Sequence, residues 1–160
     1  MEYNRERAVS YAKKWAYRRN PMYYDFSDLG GDCTNFASQC LYAGSGVMNY
    51  TPVFGWYYIS LNNRTPSWTG VEELYNFLVS NRGQGPQAVE LPLEETENGD
   101  IIQLRFSGTG RFDHSPVVVD RGEGTADTIL VAAHSYDCDC RQLSTYNYNA
   151  LRLLHIVNVG

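Results

Sequence analysis

Four cysteines and three histidines are the groups in this sequence best suited to covalent chemistry, and one of each stands apart by its neighbours. Cys33 follows Gly30-Gly31-Asp32 and opens a predicted helix over 33–43. A thiol becomes a nucleophile when its pKa falls, and a helix N-terminus and a nearby imidazolium both lower it. Two glycines let the chain turn sharply and keep the sulfur reachable. The same turn aims backbone N–H groups at the neighbourhood of the sulfur, as an oxyanion hole requires. Cys40 lies seven residues on, about 10 Å along the helix axis, too far for a disulfide with Cys33. It reads as a small buried hydrophobe.

The partner base should be a histidine on a rigid element. His114 stands at the start of a predicted strand, after Arg111-Phe112-Asp113, and His134 ends the next one. Neighbouring antiparallel strands can bring such ends to one rim. His134 could then orient His114 through its second ring nitrogen. Asp137, three residues on, is the alternative orienter and would stabilise an imidazolium better as a carboxylate. His134 is preferred because it lies nearer the strand end. His155 falls inside the last strand between Leu154 and Ile156 and reads as structural. His134, Cys138 and Cys140 also form a His-x3-Cys-x-Cys pattern, but structural zinc prefers four ligands with Cys-x2–4-Cys spacing. No metal or other cofactor is therefore expected. Asp32 is expected to cap the helix or to fix the loop beside the thiol. Trp56, Tyr57, Tyr58 and Trp68 form an aromatic stretch without periodicity. Its tryptophans are candidates to line a substrate cleft or to cover the sheet.

Positioning these groups takes helices first and strands second. The spacing of Ala8, Tyr11, Ala12 and Trp15 predicts an amphipathic helix over 4–19, stopped by Asn20-Pro21. A third helix is expected over 70–80, with Leu74, Phe77 and Leu78 inward. Beyond Pro86 the pattern turns to strands over 100–106, 115–120, 128–134 and 151–159, separated by Gly-rich turns. Helices followed by an antiparallel sheet define an α+β domain, and 160 residues suit one such domain over 1–160.

Composition excludes several functions. The net charge is −5, and the one basic cluster, Lys13, Lys14, Arg18 and Arg19, fits a solvated helix side. That argues against a nucleic-acid partner. No run of about 18 apolar residues exists, so no membrane span is expected. Met1-Glu2-Tyr3-Asn4 runs straight into a charged helix without a secretory leader. The expectation is a cytoplasmic protein if the chain is complete, or a secreted one if a leader was trimmed. The cysteines are expected as free thiols.

The segment Gly30-Gly31-Asp32-Cys33-Thr34-Asn35-Phe36 resembles the nucleophile motif of the NlpC-type branch of papain-like hydrolases. More narrowly it is similar to the bacterial family of putative amidase domains. The match continues through Gly99-Asp100-Ile101-Ile102-Gln103-Leu104, Asp113-His114-Ser115 and Ala133-His134-Ser135, and covers nearly the whole chain. The resemblance implies a papain-like fold and a Cys33–His114 dyad with a third polar residue at His134 or Asp137. It implies hydrolysis of an amide bond in a peptide or amide substrate, with peptidoglycan peptide one candidate. The alternative is a module on the same fold that binds wall peptide or glycan without catalysis.

Overall fold

The computed structural model describes residues 1–160. Helix α1 runs over Arg5–Trp15, and the Asn4 side chain caps it by accepting from the Arg7 N–H at 3.0 Å. Ala8 and Ala12 are its buried stripe. The helix stops four residues short of Arg19, earlier than its periodicity suggests. The unwound stretch carries Arg19 back toward Asp25, Asp32 and Asp137.

Helix α2, Cys33–Ser45, buries ten of its thirteen residues, so it is walled in on nearly every side. It packs against α1, against the short α3 (Pro66–Thr69) and against the sheet. Helix α4, Val71–Ser80, turns Leu74, Phe77 and Leu78 inward as predicted. A two-stranded hairpin, β1 (Tyr58–Ser60) and β2 (Asn63–Arg64), lies within the stretch expected to be an aromatic loop.

The main sheet has six antiparallel strands. These are β3 (Pro86–Leu91), β4 (Ile101–Arg105), β5 (Val117–Asp120), β6 (Leu130–Ala133), β7 (Cys138–Gln142) and β8 (Ala150–Val159). Their order is β3-β8-β4-β5-β6-β7. The architecture is mixed helix and sheet, as expected, with two edge strands more than the apolar runs reveal. Alternation sorts the side chains. Ile101, Val117, Ala132, Leu154 and Ile156 face the helices in the larger core. Ile102, Leu104, Val118, Val131 and Leu153 face the other way into a smaller one with Ile129 and Leu143. Beyond β5 the pairing with β4 ends in an isolated bridge between His114 and Leu104. No helix is long and apolar enough to cross a membrane.

Candidate active site

Gly30 and Gly31 take φ of 86° and 99°, left-handed values that other residues rarely adopt. This turn delivers Cys33 to the first position of α2. Asp32 makes no side-chain cap to that helix. Its Oδ1 instead accepts from the Phe26 N–H at 2.8 Å and from Asn35 Nδ2 at 2.9 Å. The loop beside the thiol is thus pinned from inside. Asn35 is buried as well, bonded to Tyr24, Asp32 and Trp68.

Cys33 is half-buried and lines a cavity of about 740 Å³. Gly30, Gly31, Phe106, His114, Arg141 and Tyr146 share its wall. The Cys33 Sγ lies 3.7 Å from Thr34 Oγ1 and 4.0 Å from the Asp113 carbonyl. The backbone N–H groups of Ser115 and Thr34 face it. Burial nonetheless pushes the thiol above its ordinary value, outweighing these donors. The lowered pKa expected from the helix start is absent in the resting chain.

His114 shares the cavity, yet its ring makes no hydrogen bond to the protein, and no hydrogen bond joins it to Cys33. It packs against Tyr146 at 5.5 Å and Phe106 at 6.0 Å between centroids. Burial first, then the nearby Arg141 charge, lower its pKa to about 4, and Asp113 opposes the shift. The bridge to Leu104 sets the ring on the sheet face opposite α2, because paired antiparallel residues share a face. Its neighbour Ser115 turns toward α2 and bonds Thr34 Oγ1 at 3.1 Å. Cys33 and His114 therefore meet only through the cavity, which both residues line.

Four expected site residues are placed elsewhere. His134 does not orient His114. Extending the pairing Val117↔Ala132 by two residues sets Ser115, not His114, opposite His134. The His134 ring stacks on Phe36 at 4.1 Å. Its Nδ1 lies 2.5 Å from Asp32 Oδ2. Its Nε2 lies 2.8 Å from the Trp15 carbonyl at the end of α1, which also accepts from the Arg18 N–H at 3.1 Å. A carboxylate on one ring nitrogen is the usual triad arrangement, but here the other nitrogen is spent on the backbone. Asp137 is no orienter of His114 either, since Arg19 holds it with two bonds of 2.8 and 3.1 Å. Trp56 and Trp68 do not line a cleft: both are fully buried. Trp56 Nε1 donates to Ser38 Oγ, Trp68 Nε1 donates to Asn35 Oδ1, and the two rings lie 4.7 Å apart. The aromatic stretch is core.

Sequence reasoning missed Arg19, Phe106, Arg141 and Tyr146. Arg19 was hidden in an apparently solvated basic cluster. The other three carry no spacing signal and reach the cavity only through the fold. His134, Cys138 and Cys140 do not gather, and no group of three His, Cys, Asp or Glu side chains could hold a metal. A second groove, about 630 Å³ between Arg5, Glu97, Asp120 and Arg121, has neither thiol nor imidazole. The cavity at Cys33 is the one with chemistry in its wall.

Comparison with known proteins gives the family. The pattern of the putative amidase domain matches residues 2–157, and the chain belongs to that family. It is also similar to the uncharacterized protein YhbB of Bacillus subtilis (strain 168), 40% identical over 147 residues. That match takes in 90% of this chain and 45% of the Bacillus protein, so the chain spans less than half of that relative. No solved structure matches.

Proposed function

We propose that this chain is a cysteine amidase or peptidase on a papain-like, NlpC-type architecture, with residues 1–160 acting as one unit. Cys33 is the nucleophile and His114 the base. The observation that carries this reading is the cavity shared by a helix-start thiol and an imidazole whose ring nitrogens are free. Family membership supplies amide hydrolysis at the coarse level. Peptide is the substrate class that follows, cell-wall peptide included.

The steps follow from the groups present. Substrate enters the cavity, and the His114 ring turns toward Cys33; such contacts often tighten only in the substrate complex. His114 takes the thiol proton, and the Cys33 sulfur bonds to the amide carbonyl carbon. The oxyanion is held by N–H groups at the start of α2, Thr34 among them. His114 passes its proton to the leaving nitrogen as the C–N bond breaks. Water, deprotonated by His114, then attacks the thioester and releases the acid and the free thiol.

A panel of N-acyl peptide amides and wall-peptide fragments, incubated with the parent and with Cys33→Ala, tests this. The parent should release new amines and Cys33→Ala should not; equal release by both would refute it. A second reading, a binder without catalysis, draws on the raised thiol and the missing Cys33–His114 bond. It predicts undiminished peptide binding by Cys33→Ala and no turnover by the parent.

A further inference from the structure

Arg141 is a cation in the cavity wall with no carboxylate of its own. It is the one arginine or lysine that lines the cavity at Cys33, and no acidic side chain lies within 4.0 Å of its guanidinium. Its guanidinium carbon lies over the Tyr146 ring, 3.6 Å from the centroid. Its Nε donates to Thr145 Oγ1 at 2.8 Å and its Nη2 to the Thr145 carbonyl at 3.2 Å. The fork is braced from one side, and Nη1 is left without a protein acceptor. Asp113 also lines the cavity, but its Oδ2 accepts from the Phe106 N–H at 2.8 Å. A rigid, half-buried guanidinium with free donors suits a planar anion.

We infer that Arg141 is a carboxylate-binding subsite beside Cys33, so that the preferred substrate is a peptide carrying a carboxylate next to the scissile amide. The inference rests on the hydrolase reading and narrows its substrate class. The carboxylate can be an acidic side chain or a chain terminus. Tyr146 and Phe106 give the apolar wall on which such a residue would lie. Binding would also act on the base. The Arg141 charge opposes protonation of His114, so a bound carboxylate relieves that opposition as His114 must take the thiol proton.

Alkylation of Cys33 by iodoacetate, an anion, and by neutral iodoacetamide tests the subsite without turnover. Rates are read by mass spectrometry of the peptide bearing Cys33, at pH 7.5. The iodoacetate-to-iodoacetamide rate ratio should fall about tenfold or more in Arg141→Gln, the scale of one charged hydrogen bond. Arg141→Lys should keep part of the ratio. Arg105→Gln, which removes a cation of the same sheet outside the cavity, should leave it unchanged. An unchanged ratio in Arg141→Gln, or an equal fall in Arg105→Gln, would overturn the subsite. Protection of Cys33 by N-acetyl-glutamine or by its isomer N-acetyl-glutamic acid α-amide tells terminal from side-chain carboxylate. A collapsed ratio with no amide cleavage would leave the subsite standing and the hydrolase reading fallen. Cleavage with an unchanged ratio would do the reverse.

Discussion

His134 and His114 are both buried, 1% and 6% exposed, on neighbouring strand ends, yet their surroundings differ in kind. The His134 ring is consumed by structure: Asp32 on one nitrogen, the Trp15 carbonyl on the other, Phe36 across its face. The His114 ring has aromatic walls, a cavity, and no hydrogen bond at all. Neither ring nitrogen is among the sealed polar atoms left without a partner. They open onto the cavity, which is where a base would have to meet a substrate. The pairing of Asp32 with His134 ties the Cys33 turn to the end of β6 and to the end of α1. The first histidine builds the loop that presents the thiol; the second is the one the proposed mechanism assigns to the thiol as base.

This contrast can be broken at either side. Cys33→Ala should lower kcat/KM by about 10⁶-fold, the scale seen when a nucleophile is lost. Its thermal midpoint should stay near that of the parent. His114→Ala should cost about 10²–10⁴-fold in kcat/KM, the value of one general base, and little stability. His134→Ala should do the opposite. It removes the ring partner of Asp32 Oδ2 and the stacking on Phe36 inside the fold, and should cost about 3 kcal/mol in urea unfolding. The folded fraction should keep its activity within about tenfold, well short of the loss of a general base. A loss of activity as deep as that of His114→Ala, with stability intact, would return His134 to the catalytic pair.

A pH titration sharpens the same contrast. The folded pKa of His114, about 4, lies below its ordinary 6.5, so between these values the unfolded chain binds more protons. Stability should therefore fall as pH drops from 6.5 to 4 and level off below. The whole effect is about 3 kcal/mol. His114→Gln should lack this part of the acid-side loss in thermal unfolding. Identical profiles for the two proteins would show that the ring is not desolvated.

Much of this was legible in the residues. Cys33 after two glycines at a helix start, and His114 at a strand start, announce themselves by type and place. The strands over 101–105, 117–120 and 130–133 are apolar runs that a buried sheet demands. β7 escaped because Cys-Asp-Cys-Arg-Gln is a polar edge strand with no apolar run. His134 was misassigned because adjacent strand ends do not fix which face a side chain takes; a one-residue offset reverses it. Trp56 and Trp68 sit among turn residues and read as cleft lining or as a cover on the sheet. Their burial depends on Ser38 and Asn35, contacts far along the chain. Arg141 became visible only when the fold set it in the wall beside Cys33.

The central claim is that the sulfur of residue 33 forms the covalent intermediate with help from the ring of residue 114. Mass spectrometry of the chain after rapid mixing with an N-acyl amino-acid thioester measures this directly. The acyl mass should appear on the peptide containing Cys33, vanish in Cys33→Ala, and form about 10²-fold more slowly or worse in His114→Ala. An acyl group on Cys138 or Cys140 instead, or an acylation rate untouched by His114→Ala, would contradict the account.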